Sequence, residues 1–222
     1  MPFDHNDHYH RLLLRELPDG ARRALDVGCG TGAFARRLAR RGVDVDAVDR
    51  DARVVVEARV AAEAPAVAQA PANTVAQGVA GPGRVNFRQA DITELTLPPG
   101  TYDYISCLAS LHHLPLDTLR TLRDALAPGG VLVVLGCYQE ESAWDRVVSL
   151  LAVPVNAVCR LAVFGYERAR RLTGPAAKAP TSAPTVSFAD VRAYAAEHLP
   201  GYRMRQLLFW RYLLVHRRAP VE

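Results

Sequence analysis

Leu25-Asp26-Val27-Gly28-Cys29-Gly30-Thr31-Gly32 decides the fold. A short apolar strand ends on an acid and runs into three alternate glycines, after which Phe34 and Leu38 mark the apolar face of a helix. Glycine tolerates positive φ and removes the Cβ that would block a ligand lying against the main chain, and Asp26 sets a carboxylate at the strand's carboxyl end. An acid there suits a cationic ligand better than a pyrophosphate. The loop also satisfies the looser dinucleotide pattern, with Gly28, Gly30 and Ala33 in the G-x-G-x-x-G/A places, so alone it leaves two kinds of nucleotide cofactor open.

Outward from this turn, apolar runs of strand length alternate with helical periodicity, the pattern of a parallel sheet covered on both faces by helices. Strands are predicted near 23–28, 44–49, 85–89, 102–108 and 130–137. Leu119, Leu122 and Leu126 mark a helix face that Pro128-Gly129-Gly130 is expected to stop, and the strand that follows, Val131 to Leu135, is too apolar for an edge. Residues 62–83 lack periodicity and read as an extended, mobile connection; 174–185 is a second irregular zone, ahead of the capping signature Ser187-Phe188-Ala189-Asp190. Two β-like runs, 202–207 and 210–216, lie close enough to pair as a hairpin. The fold class expected is therefore α/β, doubly wound, with a mainly parallel seven-stranded sheet and a C-terminal antiparallel hairpin strand.

A chain of 222 residues, half of it apolar, is of a size for one domain with a sizeable core. The formal charge of +4 comes from scattered arginines, with Lys178 the only lysine, and scattered charge argues against a nucleic-acid surface. The cysteines Cys29, Cys107, Cys137 and Cys159 form no C-x-x-C pair and read as reduced thiols of a cytoplasmic protein. No signal segment opens the chain, and its longest apolar stretch, Val147 to Phe164, is interrupted by Pro154, Asn156 and Arg160, against a bilayer span.

Further carboxylates stand at strand ends. Asp49 lies nineteen residues after Gly30, where an acid accepts hydrogen bonds from both ribose hydroxyls, and Arg50 beside it is placed to pack over an adenine or to sit in solvent. Asp91 follows the third strand and with Glu94 also forms a D-x-x-E capping pair. Asp26, the glycines, Asp49, Asp91 and Pro128-Gly129-Gly130, in this order and spacing, resemble the class I, Rossmann-like S-adenosylmethionine-dependent methyltransferases. That resemblance implies S-adenosylmethionine as cofactor and S-adenosylhomocysteine as product. Asp26 would face the methionine end, Gly28, Cys29, Gly30 and Gly32 would lie against the ligand, and Asp91 would accept from the adenine amino group while Ile92 covers the ring. Cys29 and Thr31 are the small side chains such a turn needs and call for no chemistry of their own. A nicotinamide oxidoreductase is the alternative, favoured by the glycine overlap and disfavoured by Asp26 and the terminal hairpin.

On the acceptor side, the loop Cys107-Leu108-Ala109-Ser110-Leu111-His112-His113-Leu114 would lie beside the methyl group, with Leu108 against the cofactor. It lacks the Pro-Pro-aromatic and Pro-Cys motifs of base and cytosine methylation, and its Leu-His-His-Leu step is similar to type-11 methyltransferases acting on small molecules and quinone-like lipids. His112 or His113 is a candidate general base for a phenol or thiol, with helix capping or packing as the plain alternative. The His- and Asp-rich start, residues 1–20, is expected to be a lid placing Tyr9 at the methionine portion and His8 or His10 at the acceptor, or else a solvated tail; its spacing enforces no metal site. Residues 139–185, with Trp144, Val147, Val148, Leu151, Val155, Val158, Leu161 and Phe164 at helical spacing, form a cap insert roofing a mostly hydrophobic acceptor pocket. Flanking arginines at 160, 168, 170 and 171 offer weak membrane-surface contact as the runner-up. The partner expected is a small-molecule acceptor from secondary metabolism, served by a monomer or a homodimer.

Overall fold

The structure, a computed structural model, describes residues 5–63, 81–138, 186–207 and 211–220. Seven strands, β1 (Arg23–Val27), β2 (Asp44–Asp49), β3 (Val85–Gln89), β4 (Tyr102–Leu108), β5 (Leu126–Cys137), β6 (Arg203–Leu207) and β7 (Arg211–Arg217), form one sheet in the order β3-β2-β1-β4-β5-β7-β6. The first five pair parallel; β7 runs antiparallel to β5, and β6 antiparallel to β7. The expected terminal hairpin is thus present, threaded so that its second strand, not its first, joins the parallel sheet.

Central strands buried on both faces must be apolar almost throughout, and β4 and the second half of β5 are. Pleating sends Leu25, Val27, Ile105, Cys107, Leu132 and Val134 to one face and Ala24, Tyr104, Val131, Val133 and Leu135 to the other. Helices α1 (His5–Leu14), α2 (Ala33–Ala39) and α3 (Ala52–Glu63) cover the second set through Leu13, Leu38 and Ala58, while α4 (Thr118–Ala125) and α5 (Phe188–His198) cover the first through Leu122 and Ala195. The doubly wound architecture follows from this alternation.

From Tyr9 onward the amino-terminal segment is docked on the domain and is no solvated tail. Leu13 is fully buried, the Tyr104 hydroxyl donates to the Leu13 carbonyl at 2.9 Å, and Glu16 just beyond α1 accepts from Arg203 and Arg217 at 3.1 and 2.7 Å. His10 packs ring to ring with Phe34 at 5.0 Å, which sets the helix against the start of α2.

Three local expectations need correction. Leu126 is not on the helix face: α4 ends at Ala125, and Leu126 is extended and paired with Tyr102. Pro128-Gly129-Gly130 consequently stops nothing; it lies inside β5, where the register with β4 shifts and Gly129 takes φ +77°. Asp91 and Glu94 cap no helix, because Asp91 Oδ1 accepts instead from the Thr93 N–H and hydroxyl at 2.9 and 2.7 Å in a tight Asx turn. Most of the 62–83 connection and the whole 139–185 insert lie outside the described residues.

The capping signature does form. Ser187 Oγ accepts from the Asp190 N–H at 3.1 Å while Asp190 Oδ2 accepts from the Ser187 N–H and hydroxyl, fixing the start of α5. Ser187→Ala is expected to lower stability by about 1 kcal/mol, or roughly 2–4 °C in melting temperature for a domain of this size. Calorimetric melting of the two proteins checks it.

Candidate functional site

The carboxyl ends of the parallel strands gather the residues singled out by the sequence. Asp26 sits near the end of β1, 1% exposed, with Ser106 of β4 as its register partner; the Ser106 hydroxyl donates to Asp26 Oδ1 at 2.7 Å. Oδ2 is buried and has no hydrogen bond of normal geometry among the described residues. Burial drives the Asp26 carboxyl up to about 7, the Ser106 hydrogen bond opposes the rise, nearby Asp49 adds to it, and the Ala35 N–H at the start of α2 pulls back down. An orphaned oxygen on a buried, half-ionised carboxylate is a seat for a cation.

The glycine loop is locked from two sides. Gly28 and Cys29 N–H groups both donate to the Val48 carbonyl at 2.8 and 3.0 Å, and the Gly30 N–H donates to Asp49 Oδ2 at 2.9 Å. Gly28 is required for a reason the sequence did not suggest: a Cβ there would overlap the Ser110 side chain, whose hydroxyl donates to the Val27 carbonyl at 2.8 Å. Gly32 likewise lies against Phe87. Gly30, at φ +51°, would direct a Cβ into open space, so close approach to its backbone meets no protein atom on that side. Cys29 is buried, and its thiol is pushed up by burial and by the carboxylates of Asp26 and Asp49, which places all three together.

Asp49 is half buried at the tip of β2; one oxygen holds Gly30 and the other accepts from the Asp51 N–H at 3.0 Å. Asp91, at the end of β3, is held low mainly by its bonds from Thr93 and further by Arg50, while Ile92 is buried below it. Arg50 is exposed and its charge also reaches His113, so Asp91, Arg50 and His113 border one region. These placements agree with a nucleoside laid across the ends of β1, β2 and β3.

Past β4 the chain turns through Ala109, the one non-glycine residue of positive φ (53°) among the described residues, into a 3-10 turn, Leu111–His113. Leu108, 9% exposed, precedes it. His112 is half buried and stacks on exposed His113 with centroids 3.9 Å apart. Burial takes the His112 imidazole down to about 4, with His113 and Arg211 adding to the fall; His113 is lowered by burial and then by Arg50. Tyr9 on α1 is buried and raised to about 12 by that burial, which Arg211 offsets.

Ser106, Ser110 and Arg211 were missed by the sequence reading. Ser106 was detectable as a polar residue in the buried run Ile105-Ser106-Cys107, and Arg211 as a cation opening the last apolar strand. Ser110 carried no signal, since its value lies in touching a glycine more than eighty residues away.

Comparison with known proteins agrees with this geometry. Residues 25–134 match the family described as a methyltransferase domain. Over 223 aligned residues the chain is 31% identical to an uncharacterized methyltransferase of Mycobacterium tuberculosis, covering 99% of this chain and 98% of that protein. A ubiquinone biosynthesis O-methyltransferase of Marinobacter nauticus is 35% identical over 51% of this chain and 43% of its own length. Among solved structures, a SAM-dependent methyltransferase of Methanosarcina mazei superposes with TM-score 0.59 at 16% identity over 100% of both chains. Magnesium protoporphyrin IX methyltransferase of Synechocystis, solved with SAH, superposes with TM-score 0.56 at 19% identity over 96% of this chain and 81% of that one.

The chain belongs to the class I, Rossmann-like S-adenosylmethionine-dependent methyltransferases. Its cofactor is therefore S-adenosylmethionine, and the nicotinamide alternative is set aside. The residues fit that ligand: the orphaned Asp26 Oδ2 suits an ammonium or sulfonium, and the open backbone at Gly30 suits close approach.

Asp26 makes this testable through protons. Its carboxyl is near 3.8 in an unfolded chain and about 7 when folded, so the ligand-free fold carries a penalty for ionising it that is absent below about pH 4 and complete above about pH 7, on the order of 4 kcal/mol. A cationic ligand beside Oδ2 pulls that pKa back down. Adenosylhomocysteine binding at pH 6.5 is expected to release a proton that Asp26→Asn does not release, measured by titration calorimetry in buffers of differing ionisation heat. Equal release by both proteins would refute the assignment.

Proposed function

We propose that this enzyme methylates an oxygen, sulfur, nitrogen or carbon atom of a small, mostly hydrophobic metabolite, in secondary metabolism and in the cytoplasm. The observation that carries this reading is the seat of His112. Its half-buried imidazole follows the loop that touches Gly28, and burial is the largest cause of its fall to about 4, so it sits partly withdrawn from solvent beside the cofactor loop. A recessed histidine favours a small acceptor over the flat, wetted face that a macromolecule would need.

The bound cofactor supplies an electrophilic methyl group on a sulfonium. Asp26 and Asp49 hold its charged end and its ribose, Asp91 and Ile92 its base, and Tyr9 and Leu108 close the sides near the methyl. Both histidines are neutral at neutral pH and so able to take a proton from an acceptor hydroxyl or thiol, His112 from a rather acidic one. The remaining contribution is positioning, which can supply roughly 7–11 kcal/mol of an in-line displacement. Residues 1–20 as lid and 139–185 as cap complete one domain spanning the chain in this reading.

A second reading, methylation of a quinone-like lipid at a membrane surface, draws on the ubiquinone O-methyltransferase relatives and on the apolar run 147–164. Among the described residues no helix is long and apolar enough to cross a membrane. Co-sedimentation with anionic vesicles separates the two.

Incubation with labelled methyl donor and a library of phenols, thiols, amines and quinols is expected to yield a labelled small molecule. Label appearing only in protein or nucleic acid would overturn the proposal. With the acceptor in hand, His112→Ala is expected to lower kcat by roughly 10²- to 10⁴-fold with adenosylhomocysteine affinity intact. Because burial holds His112 down at about 4 before the acceptor binds, kcat/KM for the acceptor at saturating cofactor should show no imidazole step between about pH 6 and 8. A step in that window that His113→Ala abolishes would transfer the base role to His113.

A further inference from the structure

Arg211 is a partly buried charged group at this end of the sheet that the cofactor assignment leaves without a task. It opens β7 opposite Cys137, the last residue of β5, and so stands at the carboxyl edge of the parallel strands, where ligands of open α/β sheets bind. The side chain is half buried. Among the described residues its only hydrogen bond is from Nη1 to Cys137 Sγ at 2.8 Å, Nε is buried without a partner, and no carboxylate lies within ion-pair distance.

The surroundings do not neutralise it. Its charge is felt by Tyr9 on α1, by His112 after β4 and by Cys137, so the guanidinium stands among all three. Burial raises the Tyr9 phenol and the Cys137 thiol and lowers the His112 imidazole, so at neutral pH each is uncharged. Among the described residues one permanent cation is left facing three neutral groups, with a buried N–H that none of them accepts. An unpaired guanidinium in a desolvated place is costly unless an anion arrives. The fork geometry of arginine selects a carboxylate, which it can grip with two parallel hydrogen bonds.

We propose that Arg211 binds a carboxylate of a small molecule held at the active-site mouth, and that this carboxylate belongs to the methyl acceptor, making the acceptor an organic acid. The inference rests on the small-molecule reading above and narrows it to one substrate class. The acceptor is favoured over the cofactor's own carboxylate because Arg211 neighbours His112, on the acceptor side, whereas the cationic methionine end is assigned to Asp26, with two strands, β4 and β5, in between.

Three probes decide it. Adenosylhomocysteine and 5′-methylthioadenosine, which lacks the amino-acid portion, are titrated into wild type, Arg211→Gln and Arg211→Lys. Hydroxylated aromatic and aliphatic acids, each with its matching carboxamide, are then titrated into the adenosylhomocysteine complex of each protein. Wild type is expected to prefer acids over amides, Arg211→Gln to lose roughly ten- to a hundredfold in acid affinity, and Arg211→Lys to keep part of it, while adenosylhomocysteine binding stays within about twofold. Arg211→Gln losing affinity for adenosylhomocysteine but not for methylthioadenosine would keep the carboxylate and overturn its assignment to the acceptor. Unchanged adenosylhomocysteine affinity together with no acid preference, or an acid preference that Arg211→Gln retains, would overturn the proposal entirely. Amides that bind and are methylated as well as acids would leave the small-molecule reading standing without it; label confined to macromolecules would remove both.

Discussion

A carboxylate buried near the end of β1 governs this structure. Asp26 is enclosed by β2 and β4, and the cost of ionising it there is on the order of several kcal/mol. One oxygen is satisfied by Ser106 from the neighbouring strand, and the other has no hydrogen bond of normal geometry among the described residues. Had the fold wanted only stability, an apolar residue would serve better at this position, as it does at Leu25 and Val27 on either side. The retained acid is therefore read as a binding device whose cost is returned when a cation arrives, and the strand register that sets Ser106 beside it is part of that device.

The loop beyond Asp26 shows how such a device is held still. Its amides at 28, 29 and 30 are consumed by the end of β2, and its underside is pinned by Ser110 from the loop after β4. The cradle is thus braced by both neighbours of β1, and little conformational freedom remains to be lost on binding. The same brace ties the two halves of the reaction together: Ser110, which fits only because residue 28 has no Cβ, leads directly into His112. A shift of the cofactor loop would move the candidate base with it.

Much of this was legible in the sequence, and the failures are instructive. Strand positions could be read because buried parallel strands are nearly uninterrupted apolar runs, and Asp26, Asp49 and Asp91 because carboxylates break those runs at their ends. The end of α4 was misread because Leu126 continues a helical period while its backbone is already extended; burial is satisfied either way, so periodicity cannot mark the boundary. Asp91 looked like a helix cap because D-x-x-E fits one, yet Thr93 offered its N–H and hydroxyl sooner, two residues away. Gly28 and Gly32 also have a packing reason that the sequence did not show, since a Cβ at either would meet Ser110 or Phe87, and only tertiary contact reveals it. Arg211 was passed over because one arginine at the head of a strand is unremarkable until its partners are found missing.

Charge is divided across the sheet edge in a way that bears on the chemistry. Carboxylates occupy the ends of β1, β2 and β3, and the Arg211 guanidinium stands at the β5–β7 side, with the histidine pair between. Burial sets His112 low, and the positive field of Arg211 adds to that effect. An anionic acceptor that neutralised Arg211 would lift that contribution and move the imidazole back toward its ordinary basicity at the moment a proton has to be taken. Substrate binding and base strength would then be coupled through one side chain. The coupling runs in the useful direction, because before the acceptor arrives a weakly basic, neutral His112 neither repels the sulfonium nor competes with Asp26 for it.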